Sequence, residues 1–351
     1  MATMRDVALR AGVSAKTVSR VLREDPYVSD KVRARVHAAV AELQYVPNTM
    51  AISFRTGRDA AIGVAVPDIA DPFFAQIVQA IEVEARAHQT AVIVTSLGYD
   101  SAYEQAAVEA LLQRQVQGLV SCPVSTDQSY LRPWLQRTPI MFVDRAPTKV
   151  AADCVVEDDF GGAQVATAHL ISHGHHRIAF FGGADQAPTT LKRLEGYRSA
   201  LQDAGLTPDD ALVFTGAPDA ASLDDTLRRF TSLNEPPTAV FSSNARTTGH
   251  VFPALQRLRG PGMVLISFGD FPMAAALNPP VTVIDQDPTA VGTFAAQRLF
   301  ERIAHPQKRL RRRTVLPVTL IERESCRLPV GGSEHDPTEA TPLAHQEQRG
   351  A

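Results

Sequence analysis

Cysteine is scarce: three residues in 351, Cys122, Cys154 and Cys326, lie far apart and form no CxxC pair. Neither a disulfide scaffold nor a zinc ribbon is suggested by that spacing, and a reducing cytoplasm fits best. No apolar run approaches the ~18 residues that a membrane span needs, and the amino terminus meets the charged pair Arg5-Asp6 at once. Neither secretion nor membrane insertion is expected. Catalytic fingerprints are missing as well: there is no GxxxxGK[ST], GxSxG or HExxH, and no GxGxxG after a strand. Catalysis has no visible residues to carry it, and no cofactor or metal is expected.

The remaining composition, 44% hydrophobic and 21% charged, is that of a globular chain. At this length one core does not serve the whole, so two or three domains are expected. The formal charge of −3 hides an asymmetry, because residues 1–58 carry ten Lys/Arg and five Asp/Glu, which leaves −8 for the remainder. A basic head on an acidic body is the footprint of a polyanion-binding module joined to something that does not itself bind polyanion.

Three short helices are predicted in that head. Thr3 caps the first, with Asp6 three positions on and Val7, Ala8 and Ala11 at helical spacing. Ala11-Gly12 makes a tight turn, and Ser14 caps a second helix over 15–22 in which Val18, Val21 and Leu22 share one face. Ala15, Lys16, Thr17, Ser19 and Arg20 supply short, polar and basic groups to the other. This is helix-turn-helix spacing, and such a second helix enters a major groove. On it Ala15, Lys16 and Arg20 are expected at base edges, and Ser14, Thr17 and Ser19 at phosphates. Ser29 is expected to cap a third helix whose Val32, Val36, Val40 and Leu43 close a small core; a bland three-helix domain is the competing reading. Beyond Pro47, a segment capped by Asn48 and ended by Gly57 reads as about two helical turns, too short to stand alone. It is either a hinge that folds on docking or an ordinary linker.

From Ala61 onward, short apolar runs such as Ile62–Val66, Ile140–Val143, Ile178–Phe181 and Val264–Ser267 alternate with helix-length segments. Alternation of this kind predicts parallel sheets covered by helices, and there are too many strands for one sheet. Two doubly wound lobes with a ligand cleft at the carboxyl ends of their strands are expected.

These residues carry a resemblance. The run Asp6-Val7-Ala8, Ala11-Gly12-Val13-Ser14, Thr17-Val18-Ser19-Arg20-Val21-Leu22, Val28-Ser29 and Tyr45-Val46-Pro47-Asn48 resembles the lactose-repressor (LacI) family of transcription regulators. The resemblance continues through Pro67-Asp68-Ile69, Asp71-Pro72-Phe73-Phe74, Phe142-Val143-Asp144-Arg145, Gly174-His175 and Arg193 to Ser325. It implies an all-α helix-turn-helix head (1–46), a hinge helix (47–59) and an α/β periplasmic-binding-protein-like body (60–327). The body's first lobe is placed at about 60–160 and 290–327 and its second at about 161–289, with crossings near 158–162, 285–290 and 318–322. A tail over 328–351, rich in Pro, Gly and acid, reads as disordered.

The implied function is a dimeric repressor of double-stranded DNA, with a near-palindromic operator, controlled by a small effector: a sugar, sugar acid or nucleoside. Asn48, Ala51 and Phe54 are implied as hinge contacts to DNA, with Phe54 where the family has a minor-groove leucine wedge. Phe73, Phe74, Asp144, Thr189, Arg193, Asn244, Asp270 and Gln286 are implied at the effector. For Phe73 and Phe74 a helix start burying both rings is the alternative, and for Arg193 a surface salt bridge. Two departures stand out: Ser267-Phe268-Gly269-Asp270 replaces the family's Gly-Phe-Asp-Asp, and Ser243-Asn244 replaces Asn-Asp. His173-Gly174-His175-His176 reads as a polar turn, having no cysteine or carboxylate partner at ligand spacing. Lys308–Arg313 reads as a solvated loop rather than a second nucleic-acid patch. A small-molecule-binding protein without DNA regulation, or a doubly wound enzyme, are the alternatives of other classes.

Overall fold

The computed structural model describes residues 2–22, 25–45, 61–183, 187–216, 220–258 and 262–327. The hinge segment and the tail lie outside them. In the head, α1 (Met4–Ala11), α2 (Ala15–Val21) and α3 (Asp30–Glu42) follow one another closely. The Thr3 hydroxyl accepts from the Asp6 N–H, and the Asp6 carboxylate accepts from the Thr3 N–H at 2.8 Å. This reciprocal cap satisfies two donors that a first turn leaves unpaired. Gly12 ends α1 at φ 62°, a left-handed turn that costs other residues roughly 1–2 kcal/mol. Ser14 then caps α2 by accepting from the Thr17 N–H, a contact of the kind worth about 1 kcal/mol. Ser29 stands at the corresponding place before α3 but makes no side-chain cap bond. That helix is held by packing instead: Val36 and Ala39 join Val7, Ala8, Ala11, Val18 and Val21 in the head's core, with Val32, Val40 and Leu43 at its margin.

Among the described residues the body holds two six-stranded sheets. The first is built from β1 (Ala61–Val66), β2 (Ala91–Ser96), β3 (Leu119–Ser121), β4 (Ile140–Val143), β5 (Asp153–Glu157) and β11 (Arg313–Leu316), in the order β2-β1-β3-β4-β5-β11 and parallel throughout. Its helices are α4 (Pro72–Ala87), α5 (Ser101–Gln113) and α10 (Pro288–Ala304), the last packed along α4. The second comprises β6 (Ile178–Phe181), β7 (Val213–Phe214), β8 (Ala239–Ser242), β9 (Val264–Phe268), β10 (Thr282–Asp285) and β12 (Thr319–Ile321), in the order β7-β6-β8-β9-β10-β12. It is covered by α6 (Asp159–Ser172), α7 (Pro188–Asp203), α8 (Ala220–Thr231) and α9 (Ala245–Arg257). Every residue of β1, β4, β6, β8 and β9 is buried, as strands screened on both faces require.

The chain passes between lobes after β5, after β10 and between β11 and β12. β12 runs antiparallel to β10, so residues 319–327 belong to the second lobe and not, as the sequence placed them, to the first. A three-residue edge strand carries too few alternations to announce its sheet. No helix among the described residues is long and apolar enough to cross a membrane.

Candidate functional site

Between the lobes lies a cavity of about 610 Å³. Its walls come from the loops that leave the carboxyl ends of strands in both sheets: Phe73 after β1, Tyr99 after β2, Val124 after β3 and Asp144 after β4 face Gly183 after β6, Asn244 after β8, Gly269 after β9 and Gln286 after β10. Parallel strands that all end on one side make that rim, where ligands of doubly wound sheets sit. All eight residues expected at an effector line this one cavity: Phe73, Phe74, Asp144, Thr189, Arg193, Asn244, Asp270 and Gln286.

They differ in what they have left to offer. Phe74 is buried in the first lobe's core, while Phe73 is half-buried against it, edge to face with ring centroids 5.1 Å apart. Burial at the helix start is thus complete for Phe74 and partial for Phe73. Arg193 is no surface salt bridge. It is 4% exposed; Nε and Nη2 each lie 2.7 Å from Asp159 Oδ1, Nη1 donates to the Ser243 carbonyl, and the guanidinium stands 3.8 Å over the Phe268 ring. Asn244, at the family's aspartate position, caps α9 by accepting from the Thr247 N–H at 2.7 Å. Asp270 is drawn into a forked pair with Arg323 at 2.7 and 3.1 Å. Gly269 has φ +88°, and a Cβ there would lie 3.0 Å from Gln286 Oε1, so the family's aspartate would be strained by this backbone and would need the Gln286 side chain to give way. Asp144 sits at φ 62° with Arg145 Nε 3.0 Å from its Oδ2, close enough for an ion pair but without hydrogen-bond geometry.

Six buried side-chain polar atoms among the described residues have no hydrogen-bond partner, and three of them, Arg145 Nε, Thr247 Oγ1 and Gln286 Nε2, belong to residues that line the cavity. Two others are both carboxyl oxygens of Glu157, at the end of β5 where the chain first crosses. Burial, reinforced by Asp144 and Asp159 nearby, pushes the Glu157 carboxyl well above its ordinary range. Burial likewise pushes Asp159 up to about 6 against the pull of Arg193, and burial raises Asp71.

The sequence reading missed Tyr99 and Arg246, whose guanidinium lies 4.1 Å over the Tyr99 ring and joins the two lobes across the cavity. Their position just beyond β2 and at the first turn of α9 was the available signal. It also quoted Arg145 without giving it a role.

On the head, Ser14 and Lys16 are exposed, Ala15, Thr17 and Arg20 half-buried, and Ser19 is buried beside Val18, apart from the exposed set. Arg20 Nε lies 2.8 Å from Asp25 Oδ2, which raises its pKa and aims its fork. Ser14 and Thr17 share a hydroxyl contact at 2.9 Å. Asn48, Ala51 and Phe54 lie outside the described residues.

Residues 3–48 match the bacterial regulatory proteins of the lacI family, and residues 59–324 the periplasmic binding proteins and sugar binding domain of LacI family. The chain belongs to the LacI family. It is a DNA-binding transcription regulator with a periplasmic-binding-protein-like effector domain, and LacI-family regulators are not enzymes. The ribose operon repressor of Escherichia coli (strain K12) is 33% identical over 333 residues, 93% of this chain and 100% of that one. Among solved LacI-family structures, the lac repressor dimer bound to operator and the anti-inducer ONPF superposes with a TM-score of 0.82 at 27% identity, covering 93% of this chain and 99% of that one. A complex of the transcriptional regulator CelR with cellobiose gives 0.66 at 28% identity, covering 93% and 100%.

Proposed function

We propose that the chain acts in the cytoplasm as a homodimeric repressor whose affinity for a near-palindromic operator is set by a sugar, sugar acid or nucleoside held between its lobes. One observation carries the effector reading: Thr247 Oγ1 and Gln286 Nε2 are buried on the cavity wall without partners. A buried polar group left unmet costs about 1–3 kcal/mol, and ligand hydroxyls answer both atoms. The half-buried Phe73 offers an apolar ring to the carbon face of a sugar or to a base. Relatives support the class, since one is named for the ribose operon and another holds cellobiose.

For DNA, Ala15, Lys16 and Arg20 face base edges, while Ser14 and Thr17 hold phosphates; Ser19, expected beside them, is buried against the head's core instead. One helix in one groove reads only a few base pairs, and a two-fold dimer reads a near-palindrome. Asn48 and Ala51 extend the contact through the hinge, and Phe54 wedges a central minor-groove step. The test is selection of bound sequences from a random duplex pool by the full chain at near-physiological salt, where phosphate contacts alone do not hold. A near-palindrome released by one of a panel of sugars and nucleosides is expected. Salt-sensitive binding without sequence preference, both with and without the panel, would overturn the reading.

A further inference from the structure

His169 lies in the last turn of α6 and His173, four residues on, caps its carboxyl end, with the two rings 4.4 Å apart. Glu322 reaches them from the residue after β12. One nitrogen from each histidine and one carboxylate oxygen all lie within 4.8 Å of one another, a grouping found among the described residues. His173 Nδ1 is 2.9 Å from the His169 carbonyl. A carbonyl only accepts, so Nδ1 donates to it and Nε2 is the nitrogen turned towards Glu322, a second contact of the kind that orients metal-bound imidazoles. That Nε2 lies 4.0 Å from Glu322 Oε1, too far for a hydrogen bond. His169 Nε2 is the sixth buried polar atom without a partner.

We propose that His169, His173 and Glu322 bind a divalent transition-metal ion of the zinc class, with a fourth position open to water. An ion with tetrahedral ligands at about 2.0–2.2 Å spans nitrogen and oxygen atoms roughly 3.3–3.6 Å apart, so atoms that lie within 4.8 Å of one another need to close by about 1 Å. Two imidazoles and one carboxylate favour zinc, copper or nickel over magnesium or calcium. The neighbouring His175 is not a ligand, since its nitrogens meet Thr238 Oγ1 at 2.9 Å and the Cys326 carbonyl at 3.3 Å. Glu322 also lies 3.6 Å from Arg327 Nη2, a contact the ion replaces. The ion pins the segment that re-enters the second lobe at the third crossing to the helix that begins that lobe at the first. It stands apart from the effector cavity, so the proposal does not depend on the effector's identity.

The test uses the full chain stripped with EDTA and titrated with Zn²⁺ alone against a chromophoric chelator. One ion per chain is expected, with affinity at least tenfold weaker in His173→Ala and in Glu322→Gln and within twofold of the parent in His176→Ala. Zn²⁺ should also raise the melting temperature of the parent and of His176→Ala, but not of Glu322→Gln. Equal affinity in the parent and in both ligand variants, or loss of binding in His176→Ala, overturns the site. Glu322 is half exposed, so Glu322→Gln decides the matter even where a histidine variant fails to fold.

Discussion

Replacing Gln286 by methionine separates a ligand contact from a structural one, because the two roles predict opposite changes in stability. Gln286 is 5% exposed, and its Nε2 has no acceptor. The free protein therefore carries the cost of a buried unmet donor, about 1–3 kcal/mol. Methionine keeps the shape and removes that donor, so the ligand-free body is expected to gain about 1 kcal/mol or more. For a body of this size melting moves by roughly 2–4 °C per kcal/mol. Differential scanning calorimetry should thus show a rise of at least about 2 °C. Affinity should move the other way. One hydrogen bond to the ligand contributes about 0.5–1.5 kcal/mol, so isothermal titration with the metabolite that releases the operator should show roughly 2- to 13-fold weaker binding. A variant that melts lower and binds equally well would mean that Gln286 supports the loop after β10 and touches no ligand.

Other substitutions test the surroundings. Arg193→Met leaves Asp159 buried without its cation and should cost about 3–5 kcal/mol in denaturant titration, most of it recovered in the double variant with Asp159→Asn; a loss under about 1 kcal/mol refutes the buried pair. Burial raises the Glu157 carboxyl well above its ordinary value, so its contribution to stability is full below about 4.5 and fades as pH rises towards the higher folded value. Glu157→Gln should therefore match the parent near pH 4 and exceed it increasingly towards pH 8, and a difference that does not vary with pH contradicts the assignment. Gly269→Asp, which restores the family's residue, should destabilise by about 1–2 kcal/mol, because φ +88° strains any side chain and the Cβ meets Gln286; tighter effector binding would show that the backbone yields. Arg20→Ala should lose about 1–3 kcal/mol of base discrimination while non-specific binding stays, and equal loss on all duplexes would make Arg20 a phosphate clamp.

Local chemistry made much of this legible. Thr3 with Asp6 and Ser14 with Thr17 are contacts within one helical turn, so spacing alone placed them. The cavity set came from the family resemblance, and topology explains why much of it gathers: parallel strands all deliver their next residue to one rim, which places Asp144, Asn244, Asp270 and Gln286 there. What spacing does not carry is contact between distant segments. Glu322 reaches His173 across two crossings, Arg246 meets Tyr99 across the cavity, and Arg323 draws Asp270 aside. Burial is equally hidden, since nothing in the sequence around Glu157 marks its carboxyl as enclosed.

The same contacts explain how a ligand in the cavity bears on the lobes. Arg193 holds Asp159, the first residue of α6 past the first crossing, and Gln286 stands at the second. The Asp158 N–H donates to the Leu316 carbonyl at 3.0 Å, which ties the first crossing to the strand that leads into the third. A ligand touching Arg193 or Gln286 therefore touches the joints themselves. A rotation of one lobe on the other changes these contacts as well as the cavity width. Only a ligand whose contacts differ between the two arrangements shifts their balance, by an amount equal to its difference in affinity for them. Since operator binding and ligand binding share that balance, the factor by which the ligand changes operator affinity must equal the factor by which operator changes ligand affinity. Measuring both on the parent and on Gln286→Met tests whether the joint residue transmits the coupling: a variant that keeps the full factor despite weaker ligand binding would place transmission elsewhere.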